Sequence, residues 1–381
     1  MLIANIADVH FGPGKTFQDV KRCWEWALSD MAARGIDIVN IAGDLFDKPV
    51  IGASALSTGE IYSAVINPII GFLYKSKKQS RVYIIPGNHD YGLPGQAHAA
   101  QPLESIPGVS IINEPFSIKH DGVSIAYLPW LSRAWFLANT GISESDPDEA
   151  FRARLSAILN GFACPERPRA CRGGGEGAII LIAHAQVKSA WLNASTQCAG
   201  GDMLLDPADL DVFDHVALGD FHRRQKYYIG ALCQHNFGEE GNVSGYELID
   251  LSASPALPIS DSTSWIPCPV APNYRTLDIS SKSDLKAVKN VGEYDRLKLR
   301  IQPEFESDLD ALRGLAEKGV IIERVAERSE LLRTAETLQD DSRDNPESVL
   351  EFWARHSGVN DNVLSNLKSE LASILSIRSL T

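Results

Sequence analysis

The chain has 381 residues, 44% of them hydrophobic and 22% charged. Those are ordinary globular proportions, and they exclude a disordered, collagen-like or coiled-coil chain as a whole. The 36 basic and 49 acidic residues leave a net charge of −13, which excludes holding nucleic acid by bulk positive charge but permits a local basic groove or a basic partner.

The first 250 residues or so alternate β-rich runs with helical stretches, the pattern of a layered α/β domain. The spacing predicts strands at Leu2–Ala7, Ile36–Gly43, Arg81–Gly87 and Val123–Pro129, then at Ala178–His184, His215–His222, Tyr227–Leu232 and Tyr246–Leu251. Several are nearly continuous apolar runs, as expected of strands buried on both faces. Between the first two, Val20, Trp24, Leu28 and Met31 recur at helical spacing and Gly35 supplies a stop, which makes a βαβ unit. Ala53–Lys78 reads as helix with Tyr62, Ile66, Ile69, Ile70 and Leu73 on one side. Pro68 within it predicts a kink or two abutting helices.

Residues 165–177 are rich in Pro, Arg and Gly and read as a surface loop. Proline concentrates again between Ser252 and Pro272. After it come predicted strands at Tyr274–Ser280, Asp295–Gln302 and Val320–Glu327, with helices at Ser283–Asn290 and Ser307–Gly319 between them. The expected divisions are a first domain at 1–255, a small α/β module at 271–330, a polar linker at 331–345 and two helices at 346–381. In the last helix Val363, Leu364, Leu367, Leu371, Ile374 and Leu375 form one apolar stripe, which calls for a partner surface.

Six cysteines, without paired C-x-x-C motifs, argue against a structural zinc site and fit a reduced cytoplasmic chain. The opening MLIANIADVH has no basic region and is not read as a signal peptide. No apolar run approaches the roughly 20 residues that cross a bilayer, so no membrane association is expected.

Five motifs fall at the carboxyl ends of predicted strands, where open α/β sheets place ligands. They are Asp8-Val9-His10, Gly43-Asp44-Leu45-Phe46-Asp47, Gly87-Asn88-His89-Asp90, Ala183-His184 and Gly219-Asp220-Phe221-His222. Taken singly, an aspartate after a strand is a turn former and a buried histidine is a core residue. Five together, all offering oxygen or imidazole nitrogen and none a thiolate, indicate a site for manganese, magnesium, iron(II) or zinc. On extended chain Asp8 and His10 would point the same way. Asp44 could bridge two ions through its two oxygens, and two such ions suit phosphoryl transfer. His89 would then be free to protonate a leaving oxygen.

This ordered set resembles the calcineurin-like metallophosphoesterase family. Leu218-Gly-Asp-Phe-His-Arg-Arg-Gln225, the Gln234–Asn242 stretch, the small α/β module and the terminal helices resemble its SbcD-type DNA repair nucleases in particular. The resemblance implies a layered β-sandwich core flanked by helices, a capping domain and a two-helix tail. It implies two divalent ions, manganese foremost: Asp8, His10, Asp44 and His222 on the first, and Asp44, Asn88, His184 and Asp220 on the second. His89 would be the catalytic histidine, grouped with His10, and Asp47 and Asp90 would orient the ligands. Where the family commonly has Gly-His-x-His, Asp220 stands in the first histidine position.

Arg223 and Arg224 directly follow His222 and are candidates for phosphate contact, as is His235 in a stretch resembling a loop near the family's substrate groove. The resemblance further implies a homodimer through the helices around 54–78, and docking of the terminal helices on an SbcC-type coiled-coil ATPase. The leading expectation is a metal-dependent nuclease acting on double-stranded DNA ends and hairpins, exo- or endonucleolytic. The alternatives are a stand-alone phosphatase or phosphodiesterase of small esters, and a non-catalytic scaffold. No Walker motif is present, so any ATP dependence would come from a partner.

Overall fold

The structure, a computed structural model, describes residues 1–48, 55–76, 80–91, 98–131, 147–162, 177–188, 204–252, 259–281, 283–284, 288, 292–302, 320–324 and 368. The expected helix Ser307–Gly319, the linker and, apart from residue 368, both terminal helices lie outside these residues, as do most of Ser283–Asn290 and nearly all of the loop at 165–177.

A six-stranded sheet is built from β1 (Leu2–Ile6), β2 (Ile38–Ala42), β3 (Arg81–Ile85), β4 (Val109–Ile111), β11 (Gly245–Asp250) and β12 (Thr263–Pro267), in the order β12-β11-β1-β2-β3-β4. A second sheet has the order β10-β7-β6-β5, from β5 (Phe116–His120), β6 (Val123–Leu128), β7 (Ile179–His184) and β10 (His215–Gly219). Strands β1 to β4 run parallel, as do β6, β7 and β10. A short parallel pair joins β8 (Gln186–Val187) to β9 (Leu204–Leu205).

Period-two alternation explains the layers. Ile3, Ile38, Ile85, Ile125, Ile180 and Ala217 meet between the sheets in one apolar cluster. Their neighbours Ala4, Val39 and Ile84 face outward onto α1 (Phe17–Arg34) and α2 (Ala55–Lys75). On the far side Ala126, Leu181 and Leu218 face α3 (Pro147–Phe162) through Phe151, Leu155 and Leu159. The result is helix, sheet, sheet, helix, which is the expected layered α/β sandwich.

Helix α1 ends at Gly35, whose left-handed φ of 72° lets its N–H reach the carbonyl of Ala32. Helix α2 runs unbroken through Pro68. Ile61, Val65, Ile69 and Phe72, on both sides of that proline, are buried in one apolar cluster, so the two abutting helices are not formed. The buried face is therefore rotated from the one predicted. Tyr62, Ile66 and Leu73 flank it, and Ile70 points outward at 48% exposure.

Tyr227–Leu232 is not a strand. Positive φ values at Tyr227 (72°) and Gly230 (82°) turn the chain, and only isolated bridges form. Conversely, β12 lies in the proline-rich stretch and pairs antiparallel with β11 at the sheet edge, where proline is tolerated.

The chain divides into two compact units, Met1–Arg275 with Gly292–Arg296, and Thr276–Val291 with Leu297–Thr381. The second holds most of a sheet of order β13-β14-β15, formed by β13 (Asn273–Ile279), β14 (Asp295–Ile301) and β15 (Ile321–Arg324) around Ile279, Val288, Leu297, Leu299 and Ile301. Among the described residues no helix is long and apolar enough to cross a membrane.

Candidate metal centre

The carboxyl ends of β1, β2 and β3 in one sheet and of β7 and β10 in the other meet at one rim. Asp8, His10, Asp44, Asn88, His184, Asp220 and His222 all come from these ends. The first two motifs are stitched together by backbone hydrogen bonds from the N–H groups of Val9 and His10 to the Asp44 carbonyl, both 2.9 Å. Asp8 (φ 51°), His10 (φ 55°) and Asp44 (φ 51°) are all left-handed. The side chains of Asp8 and His10 therefore converge by leaving the strand conformation, and extended alternation is not the reason.

Three groupings of metal-ligating atoms form: Asp8 with His10 and His222, Asp8 with Asp44 and His184, and His10 with Asp47 and His89. Asp8 is common to the first two, and Asp44 of the second reaches toward the first. Its Oδ2 is 3.4 Å from His184 Nε2 and 3.7 Å from His10 Nε2. The His10 and His222 Nε2 atoms are 2.9 Å apart. His184 Nε2 also lies 2.9 Å from Asn88 Oδ1 and 3.8 Å from Asp220 Oδ1. Its Nδ1–H donates to the Ala42 carbonyl at 2.9 Å, which turns Nε2 toward these oxygens.

The imidazole of His184 occupies space that only glycine leaves open. A Cβ on Gly43 (φ 85°) would lie 2.1 Å from His184 Nδ1, and one on Gly219 would lie 2.7 Å from the same atom.

The electrostatics follow from packing carboxylates and imidazoles together out of water. Burial pushes the Asp8 carboxyl up to about 6 against the pull of His222 and His184. Burial also disfavours the charged form of Asp44, but His184, His10 and His89 around it outweigh this and hold it below the usual carboxylate range. For His184 the balance is reversed, because Asp44, Asp8 and Asp220 overcome burial and raise it. Burial and the neighbouring His222 hold His10 well below its ordinary value.

Asp8 Oδ2 and His10 Nδ1 are buried with no hydrogen-bond partner, a costly arrangement unless another group satisfies them. Orphaned hard and borderline donors, on a rim rich in carboxylates and imidazoles, fit divalent cations such as manganese.

The remaining expected residues lie around this core. Asp90 accepts from the N–H groups of Gly87 and Phe46, both at 2.9 Å, so it ties the second motif to the third. Burial and the charge of Asp44 push its carboxyl up to about 7. The Nδ1–H of His89 donates to the Asp47 carbonyl at 3.0 Å, and the His89 side chain is 46% exposed. Its ring stands edge-on to His10 with centroids 4.9 Å apart.

Arg223 and Arg224 are exposed beyond His222, and the Arg224 guanidinium lies 4.9 Å from the centre of the Trp265 ring. The His235 ring packs on His10 and His222 at 5.1 and 5.2 Å, with Nε2 3.3 Å from the Asp8 carbonyl. Glu239 was not expected at the site. Buried, it accepts from His222 Nδ1–H at 2.8 Å. A glutamate in an aperiodic loop carries no signal in sequence beyond its nearness to His235.

A dimetal phosphatase from Danio rerio is similar to this chain with a TM-score of 0.40 and 10% identity, over 70% of this chain and 99% of that one. GAP50, the anchor in the inner membrane complex of Plasmodium, is similar with a TM-score of 0.35 and 10% identity, over 87% and 98% respectively. Residues 1–224 match the calcineurin-like phosphoesterase family. That span is more than half the chain and holds all five metal-ligating motifs, so the chain belongs to the calcineurin-like phosphoesterases, metal-dependent hydrolases of phosphate esters.

Proposed function

We propose that this phosphoesterase is a DNA nuclease that hydrolyses phosphodiester bonds at duplex ends and hairpins, and that it works with an SbcC-type coiled-coil ATPase docked on its terminal helices. The observation that carries this reading is the open side of the site. There a histidine poised for proton transfer, His89, is nearly half exposed, and Arg223 and Arg224 stand exposed beside His222. An accessible acid, with exposed basic side chains directly after the site residue His222, suits a long polyanion better than a small ester enclosed on all sides.

Asp8, His10, Asp44 and His222 would hold one ion, and Asp44, Asn88, His184 and Asp220 a second. When bound, such ions supply Lewis acidity to a phosphoryl oxygen and a nucleophile at neutral pH. The chain's own groups do the rest. Because a carbonyl only accepts, the bond to Asp47 fixes the hydrogen of a neutral His89 on Nδ1. In the protonated ring the second hydrogen therefore sits on Nε2, which passes it to the leaving oxygen and returns to a lone pair. Asp90 fixes the backbone that presents His89, and Arg223 and Arg224 orient the phosphate backbone. The outward Ile70 and Tyr74 of α2, 48% and 90% exposed, support pairing of two copies through that helix.

The net charge of −13 favours the competing reading, a hydrolase of small phosphate esters, since a polyanionic substrate is repelled by it. The deciding experiment is manganese-dependent cleavage of an end-labelled linear duplex, with and without the ATPase. Expected is cleavage that falls about 10²–10⁴-fold in His89→Ala. Hydrolysis of a small aryl phosphate without duplex cleavage under either condition would overturn the nuclease reading. An inert chain would favour the scaffold.

A further inference from the structure

We infer that Glu239 is a positioning residue for the metal centre, holding His222 in the one tautomer and orientation that presents Nε2 to a divalent cation. The inference deepens the metal-centre reading above and rests on it.

The argument starts from what a carboxylate can do. An ionised Glu239 has acceptors only, so its 2.8 Å contact with His222 Nδ1 requires the hydrogen to sit on Nδ1. In the neutral ring Nε2 is then a lone pair, and it is the Nε2 atom that lies 2.9 Å from His10 Nε2, inside the grouping with Asp8. Without Glu239 the ring could rotate or exchange its hydrogen to Nε2, and either change would withdraw the donor.

Glu239 is itself held on several sides. Its Oε2 accepts from the His235 N–H at 2.8 Å, and its Oε1 also receives the Asn236 side-chain amide at 3.2 Å. The turn that carries it is closed by Asn236 Oδ1 accepting from the Gly238 N–H at 2.7 Å. The loop is anchored further out where Gln234 accepts from the Tyr274 N–H at 2.8 Å and the Tyr274 hydroxyl donates to the His235 carbonyl at 3.1 Å. Glu239 is only 8% exposed, a costly place for a carboxylate unless its acceptors are used. Here both oxygens are used, and one of them on a metal-facing histidine. Ligating histidines commonly hand their second N–H to such a partner, which fixes the ring and raises its basicity.

The test is a double-substitution cycle read by calorimetric titration with Mn²⁺, on Glu239→Ala, Glu239→Gln, His222→Ala and the double variant Glu239→Ala/His222→Ala. Melting in chelator checks that each is folded. Glu239→Ala is expected to weaken Mn²⁺ binding about 10–100-fold. Glu239→Gln, which keeps the volume but offers one acceptor oxygen where Glu239 uses two, should lose less. In the His222→Ala background Glu239→Ala should change Mn²⁺ affinity no further, because its effect passes through that ring.

Should Glu239→Ala fail to fold, the Gln variant in the same two backgrounds carries the test. Unchanged Mn²⁺ affinity in folded Glu239 variants would overturn the assignment, as would an equal loss with and without His222. A native chain that takes up no Mn²⁺ would overturn the metal-centre reading itself, and this assignment with it.

Discussion

Four acidic or imidazole side chains at the rim, those of Asp8, His10, Asp44 and Asp220, sit on backbone of positive φ, at a cost of order 1–3 kcal/mol each for residues other than glycine. Identity and order made these residues legible in the sequence, because each follows a strand directly. How they aim was not legible, since it depends on the hydrogen bonds that fold one motif over another. Glu239 was hidden for a related reason. It acts on His222 across a loop whose shape no periodicity encodes. Away from the site, His98 shows the same dependence on surroundings. Its two ring nitrogens are buried without partners. Burial lowers its affinity for a proton below the ordinary value of 6.5, and the amides of Asn113 and Gln101 nearby do not offset this. The unfolded chain therefore binds the extra proton first, and the stability held by neutral His98 is complete above pH 6.5 and lost as pH falls below it. Denaturant melts between pH 7.5 and 5 should show a shallower acid loss in His98→Gln than in the native chain. Parallel curves would refute this.

At the level of strands and helices, two-sided burial was readable because apolar residues fill consecutive positions in β1, β2 and β7. Asn5 and Asn40 break that pattern, and packing between the sheets gives them a purpose. Tyr127 donates to Asn40 Oδ1, Asn40 to Asn5 Oδ1, Asn5 to Glu247 and His215 to Glu247, with distances of 2.8–2.9 Å. The ladder spans both sheets and links their registers, because a one-residue slip would strand every member. Tyr127→Phe removes the terminal donor and leaves Asn40 Oδ1 buried and unsatisfied. The expected cost is about 1–3 kcal/mol, read as a lower urea midpoint at unchanged slope. A midpoint equal to the native one would show that the ladder contributes nothing. The same scale explains the strand predicted at Tyr227–Leu232. Its apolar composition was right for β structure, but the left-handed residues at both ends of Tyr227–Gly230 bend it around His222 and Arg224.

For the molecule as a whole, the site draws its donors from both sheets, so a cation seated there would join the two layers beyond their apolar contacts and the polar ladder. Mn²⁺ at a hundredfold excess over its dissociation constant should stabilise the fold by about 2.7 kcal/mol, seen as a rise in Tm that chelator reverses. An unmoved Tm would mean that the cation binds folded and unfolded chains alike, or not at all. The crowding of His184 by Gly43 and Gly219 has a different kind of consequence. Vulnerability in this protein extends to residues that take no part in any reaction. A single added methyl at Gly43 would expel the imidazole while every ligand remained in the sequence, so a descendant silenced by drift could keep all five motifs' reactive residues and still be inert.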